Sequence, residues 1–309
     1  MPSARRKVII DTDPGIDDAL ALILALRSPE TEVLAITAVA GNVPLEQCVR
    51  NAAGLVELLG ARTPVAAGCR KPLLREPITA LVHGADGLGG ASAQLPAGGP
   101  LLPVPAAQVI LDTAERHPGE VTLAALGPLT NVAAAALADP ARFARLAGIV
   151  VMGGAFQVHG NVTAVAEFNI FADPHAARVV LASGVPVTFV CLDVTTQVRL
   201  QPELVVAPAA VAGNAVRSFV EQAAKHFLRS CGPYGCCLHD PLAIGAVIDP
   251  SLLEKRPLFV EVETSGHTCL GMTVADFRPW SPHSPNAEVC TGVDAQRFLA
   301  MFGRRVLRP

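Results

Sequence analysis

Val8-Ile9-Ile10-Asp11-Thr12-Asp13-Pro14-Gly15-Ile16-Asp17-Asp18-Ala19-Leu20 is the stretch on which the fold turns. Three β-branched apolar residues in succession read as a buried strand, Pro14-Gly15 as a break, and the apolar pattern of Ala19 to Leu26 as a helix. The same order recurs downstream. Val33 to Val39 precedes a helical pattern at Leu45 to Leu59, and Val121 to Ala125 precedes one at Leu129 to Leu137. Ile149 to Met152 and Val187 to Leu192 are further strands, with a helix at Pro174 to Ala182 between them, capped by Asp173. This alternation predicts an α/β fold of Rossmann-like type, a mainly parallel central sheet flanked by helices.

Beyond residue 192 the pattern is more helical, at Asn214 to Leu228 and Pro241 to Ile248. Leu258 to Glu263 and Cys269 to Ala275 then read as a late β-hairpin, and Ala295 to Phe302 as a closing helix. The 26 glycines and 26 prolines are spread through turns, with no internal repeat and no low-complexity linker. One domain over residues 1–309 is the expectation.

Of the 309 residues, 51% are hydrophobic and 17% charged, enough apolar material for a large core. The net charge of -3 comes without a block of like charge, so nothing marks a surface for nucleic acid or an anionic membrane. The start of the chain does not read as a signal peptide, and no apolar run approaches the roughly 18 residues of a bilayer span. A soluble, cytoplasmic protein with a small-molecule partner is expected. The eight cysteines then read as free thiols. Cys231, Cys236 and Cys237 lie near His239, but without a C-x-x-C pair they make a poor zinc site.

Four aspartates in the eight positions 11–18 stand at the carboxyl end of a strand, where open α/β sheets bind ligands. They would repel one another at neutral pH unless a cation neutralised them, and hard oxygen donors favour calcium or magnesium. A plainer reading needs no metal: Asp17 and Asp18 favour the helix dipole while Asp11 and Asp13 shape the turn. The spacing does not fit an EF-hand loop. A dehalogenase-like phosphatase, with Asp11 as nucleophile and Asp13 as acid/base, is the rival, but it leaves Asp17 and Asp18 unexplained.

Asp11-x-Asp13-Pro14-Gly15-x-Asp17-Asp18-Ala19 resembles the N-terminal signature of the inosine-uridine preferring nucleoside hydrolase family. Further segments resemble family motifs in the same order: Ala40-Gly41-Asn42, His83-Gly84 with Gly87-Leu88-Gly89, Leu126-Gly127-Pro128-Leu129-Thr130-Asn131, and Met152-Gly153-Gly154. Asn161, Ala166-Glu167-Phe168-Asn169, Asp173-Pro174 and His239-Asp240-Pro241 complete the series, which spans essentially the whole chain.

The resemblance implies a calcium-dependent enzyme that splits the N-glycosidic bond of ribonucleosides in nucleoside salvage, as a homodimer or homotetramer. Calcium would be held by Asp13, Asp18, the Thr130 carbonyl oxygen and Asp240. A calcium-bound water would be the nucleophile, with Asp13 as general base. Asp17 would take the 2'-hydroxyl, Asn169 and Asp240 the 3'-hydroxyl, and Asn161 with Glu167 the 5'-hydroxyl. Asn42 would stand beside the ribose or its supports. His239, next to a metal ligand, is the candidate acid for the leaving base, and His83 resembles a histidine close to the base pocket.

For Glu167 and the asparagines the competing reading is ordinary loop capping. The base-contacting region departs from the family, since it offers Ala223, Phe227, Cys231 and the sole tyrosine, Tyr234. Phe168, Phe227 and Tyr234 could stack on a base or serve the core. A phosphorylase would need cationic contacts that the loops at 126–131 and 152–156 lack. A non-catalytic nucleoside or sugar sensor would have lost base or metal ligands that are present here.

Overall fold

The computed structural model describes residues 5–200, 202–205, 214–231 and 236–307. β1 (Arg6–Thr12) leads into α1 (Ile16–Leu26), and β2 (Thr31–Ala38) into α2 (Leu45–Leu58). β3 (Val65–Ala67) is followed by α3 (Ala106–Arg116), and β4 (Val121–Ala125) by α4 (Thr130–Ala138) and α5 (Pro140–Phe143). β5 (Gly148–Met152) precedes α6 (Phe168–Ala172) and α7 (Pro174–Leu181), and β6 (Val187–Val190) precedes α8 (Leu192–Thr195). Then come β7 (Arg199–Leu200), α9 (Pro202–Val205), α10 (Ala215–Cys231), β8 (Cys236–Cys237) and α11 (His239–Ile248). The chain ends with β9 (Leu253–Leu258), β10 (Val260–Val262), β11 (Thr273–Ala275), β12 (Ala287–Val293) and α12 (Ala295–Phe302).

Eight strands form one sheet in the order β3-β2-β1-β4-β5-β6-β12-β9. All neighbours pair parallel except β9, which runs antiparallel to β12 at the edge. From β1 the chain builds outward through β2 and β3, then returns to build β4, β5 and β6 on the other side. The order therefore reverses between β1 and β4, and the carboxyl ends of those strands flank the crevice where such sheets take ligands.

The Val8-Ile9-Ile10 run is apolar throughout because both faces of the sheet are covered. Val8 and Ile10 pack with Leu20 and Leu24 of α1, Phe219 of α10 and Phe298 of α12. Ile9 points to the other core, with Ile110 of α3, Val132 of α4 and Val180 of α7. Asp173 caps α7 by accepting the Ala176 N–H at 3.0 Å, and Pro174 opens the helix.

β10 and β11 form the expected antiparallel hairpin. Leu258, read as part of it, belongs instead to β9. The sequence pattern also did not show β9, β12, α3 or α6. β9 carries Glu254, Lys255, Arg256 and Pro257, the charges and proline that a sheet edge tolerates and that hide a strand from an apolar search.

One expectation is corrected. Cys231 and Cys236 are not free thiols but a disulfide, because the end of α10 returns to β8 with the two Cα atoms 5.3 Å apart. Cys237 remains a thiol beside them. Among the described residues no helix is long and apolar enough to cross a membrane.

Candidate active site

The turn after β1 brings the acids together. Asp17 and Asp18 occupy the first turn of α1, Asp240 the first turn of α11, and oxygens of all three lie within 4.8 Å of one another. Two helix N-termini thus meet around the group, where their dipoles favour negative charge. Asp18 is held from several sides, by the Thr12 hydroxyl and by the Gly15 N–H at 2.9 Å. Asp18 thereby also closes the start of α1, accepting the N–H of the capping residue Gly15.

Asp13 stands next to this trio rather than inside it. Its Oδ2 accepts the Asn42 N–H at 2.7 Å, while Oδ1 is buried with no hydrogen-bond partner among the described residues. Asn42 ties the two acids together, donating its side-chain amide to the Asp13 carbonyl oxygen at 3.2 Å and to Asp18 Oδ2 at 3.1 Å. Thr130 is buried at the start of α4, and its hydroxyl donates to Asp173 Oδ2 at 2.8 Å.

Burial and crowding make these acids hard to ionise without a cation. Burial, with repulsion from Asp18, pushes Asp17 up to about 7. Burial first, then Asp18, raises Asp13 well above the usual carboxylate range, against the lowering effect of the Asn42 N–H. Asp240 is raised by burial and by Asp17, Asp18 and Asp13 in turn. An unpartnered buried oxygen and a set of carboxylates with no lysine or arginine paired to them among the described residues are what a hard divalent cation fits.

Above the acids opens a cavity of about 490 Å³, a size suited to a small molecule. Its wall includes Asp17, Asp240, Asn42, His83 and His239, together with Asn161, Glu167, Phe168 and Asn169. Asp13, Asp18 and Thr130 are buried and lie off that wall. No lysine or arginine lines it among the described residues.

Asn169 donates its amide to the Leu126 and Met152 carbonyls at 2.6 and 3.1 Å, which leaves Oδ1 as the acceptor it can offer a ligand. Glu167 caps α6, accepting the N–H groups of Asn169, Ile170 and Gly154. Burial still pushes it up to about 7. Asn161 sits exposed at the rim and accepts the Phe168 N–H at 2.8 Å.

His83 Nδ1 accepts the Ile16 N–H at 3.1 Å, so the ring proton belongs on Nε2, which lies 3.8 Å from Asp17 Oδ1. Burial pushes His83 down to about 4, in keeping with a neutral ring. Phe227 stacks on it with centroids 5.9 Å apart, serving both the core and the cavity wall. His239 Nδ1 lies 2.7 Å from Thr195 Oγ1, and burial, with His83 adding, pushes it down to about 4. Tyr234 lies outside the described residues.

Asp11 is placed differently. Its Oδ1 accepts from Thr37 and, at 2.8 Å, from Asn131, it is fully buried, and it lies off the cavity wall. Asp13 is as buried, but it interacts with the charges of Asp17 and Asp18, whereas Asp11 is held by Thr37 and Asn131 away from that acidic group.

Several residues matter whose roles the sequence did not disclose. A Cβ on Gly41 would lie 2.1 Å from Asp13 Oδ2, and one on Gly127 would lie 2.4 Å from Asp13 Oδ1. These glycines leave the room that Asp13 fills. Gly127→Ala should therefore displace the carboxylate, and because a misplacement of about 1 Å can cost roughly 100-fold, kcat should fall on that scale. Unchanged far-ultraviolet circular dichroism together with the lost turnover would separate displacement from unfolding. The signal was present in the Gly41-Asn42 and Leu126-Gly127-Pro128 motifs, but only the folded chain shows what the glycines face. Thr195, by contrast, had no sequence signal.

Known proteins resemble this chain over nearly its whole length. The inosine-uridine preferring nucleoside hydrolase family matches residues 8–300. The chain is 38% identical over 302 residues to an inosine-uridine preferring nucleoside hydrolase of Crithidia fasciculata, covering 96% of each chain. It is 40% identical over 306 residues to a pyrimidine-specific ribonucleoside hydrolase of Citrobacter koseri, covering 97% of each. A solved purine-preferring ribonucleoside hydrolase from Gardnerella vaginalis aligns with a TM-score of 0.91 at 34% identity, over 97% of this chain and 98% of that one. With the parallel sheet, the switch-point crevice and the buried acids in agreement, the chain belongs to the inosine-uridine preferring nucleoside hydrolase family and is a hydrolase of N-glycosyl bonds.

Proposed function

We propose that the protein hydrolyses ribonucleosides to ribose and free base, with the sugar on the acidic floor of the cavity and the base toward His83 and Phe227. The observation that carries this reading is a nucleoside-sized cavity that ends on buried carboxylates and, among the described residues, is lined by no lysine or arginine. A divalent cation, calcium in this reading, would be held by Asp13, Asp18, Asp240 and the Thr130 carbonyl oxygen. Bound there it would neutralise the acids, orient sugar hydroxyls and acidify water beside it.

The chain's own residues supply the rest. Asp17 accepts the 2'-hydroxyl, Asn169 Oδ1 and Asp240 the 3'-hydroxyl, and Asn161 with Glu167 the 5'-hydroxyl. Asn42 keeps Asp13 and Asp18 in place. Asp13 takes a proton from the attacking water as the water oxygen bonds to C1', and the C1'–N bond breaks with its electron pair leaving on the base. The positive charge that develops on the ribosyl centre is stabilised by the surrounding carboxylates. His239 in its imidazolium form gives its Nε2 proton to the departing base nitrogen and is left as the neutral ring that burial favours, and Phe168 and Phe227 offer ring faces to the base.

Ribose release from inosine, adenosine, uridine and cytidine, with and without chelator, tests the reading. Release should depend on the cation, and His239→Ala should lower kcat on these nucleosides by about 100- to 10,000-fold. Cleavage of phosphate esters that depends on Asp11 would refute it.

A further inference from the structure

We propose that Thr195 is a positioning residue for leaving-group departure: its hydroxyl holds Nδ1 of His239 so that Nε2 is the ring nitrogen presented to the base. This rests on the reading of His239 given above.

The geometry is built in three consecutive ties. Thr195 Oγ1 meets His239 Nδ1 at 2.7 Å, the Leu238 N–H donates to the Val198 carbonyl at 2.9 Å, and Arg199 pairs with Cys237 in the β7–β8 ladder. The exit of α8 and the entry to α11 are therefore knitted along their length, and the Thr195 hydroxyl is set in a fixed frame. Thr195 itself is fully buried, and its N–H is held by the Cys191 carbonyl at 3.0 Å, the end of β6 carrying it into place. Among the described residues, its hydroxyl makes no other hydrogen bond.

An imidazole presents its two nitrogens in diverging in-plane directions, so engaging one fixes where the other faces. His239 opens α11 and lines the cavity, and with Nδ1 occupied on the α8 side, Nε2 is left for a ligand. A threonine hydroxyl suits this post. It can donate to a bare Nδ1 or accept from a protonated one, so it holds the ring in either protonation state and adds no negative charge to an already acidic site. A carboxylate in the same place would hold the ring but add to the repulsion.

The test compares Thr195→Val, Thr195→Ser and His239→Ala on uridine and inosine and on 4-nitrophenyl riboside, whose phenolate departs without a proton. Loss of a residue that orients a catalytic imidazole is expected to cost roughly 10- to 100-fold. Thr195→Val should show that loss in kcat on the nucleosides and keep most of its turnover on the nitrophenyl riboside, while Thr195→Ser regains nucleoside activity. Equal losses on both substrate types, or full nucleoside activity in Thr195→Val, would overturn the proposal. His239→Ala separates the two readings. If it loses nucleoside activity selectively and Thr195→Val does not, Thr195 alone is misassigned; if it shows no selectivity either, the role of His239 falls first. Imidazole nitrogen chemical shifts of His239 give a readout apart from turnover, and should differ between wild type and Thr195→Val but not between wild type and Thr195→Ser.

Discussion

Asp13→Asn should abolish turnover while leaving a folded and, without cation, more stable protein. The two halves of that result have one cause. An asparagine can still accept the Asn42 N–H that Asp13 Oδ2 accepts at 2.7 Å, so the local fold has no reason to change. It removes a charge that burial and Asp18 both disfavour. In the proposed mechanism it also removes the base that takes the proton of water, a contribution of about 100- to 10,000-fold. Losing an oxygen from the cation's surroundings should move the effect to the upper end of that range. Ribose release from inosine and uridine, with thermal unfolding in chelator, checks both halves. Activity within tenfold of wild type would remove Asp13 from the mechanism, and a large fall in chelator stability would make its role structural.

Stripping the cation should abolish activity and leave a protein whose stability falls as pH rises through neutrality. Asp11, Asp17 and Glu167 are held up to about 7 by burial, and Asp13 and Asp240 are raised well above the usual carboxylate range by burial and mutual repulsion. Unfolded, such groups ionise near their ordinary values of 3.8 and 4.5. Between those values and the folded ones, the folded chain binds more protons than the unfolded chain. Stability therefore drops as pH rises, on the order of 1.4 kcal/mol per pH unit for each such proton.

His83 and His239 oppose this at lower pH. Burial pushes both down to about 4 from 6.5, so the unfolded chain binds protons there that the fold refuses, and stability rises with pH across that interval. Above 6.5 the histidines no longer contribute and the acids act alone. The Tm of chelated protein should accordingly fall as pH rises above 6.5 through neutrality, and calcium should raise Tm more at the higher pH. A flat or rising Tm over that interval, or equal stabilisation by calcium at both ends, would contradict the electrostatic account.

The site was legible in part, and unevenly. His239 and Asp240 are adjacent in sequence and both reach the cavity, and Ala166-Glu167-Phe168-Asn169 delivers three residues to its wall. Asp17, Asp18 and Asp240 were foreseen as acids of one site, but their closeness within 4.8 Å depends on how α1 and α11 meet. The choice between capping and binding for Glu167 was falsely posed, since its carboxylate caps α6 and lines the cavity at once. Asp11 looked equivalent to Asp13 in the motif, yet Thr37 and Asn131 claim it for the strand ends.

What the sequence determined by itself is the alternation of strands and helices and the strand end that carries the chemistry. Both follow from local periodicity and from a density of acidic residues that is costly to ionise without a cation. Only the tertiary structure decided that β12 and β9 complete the sheet, that Cys231 and Cys236 pair, and that Thr195 faces His239. Those facts depend on contacts between residues far apart in the chain, where the partner's identity, not the local pattern, sets the energy. An edge strand with charges, a thiol and a buried hydroxyl look alike wherever they stand until the chain brings something to them.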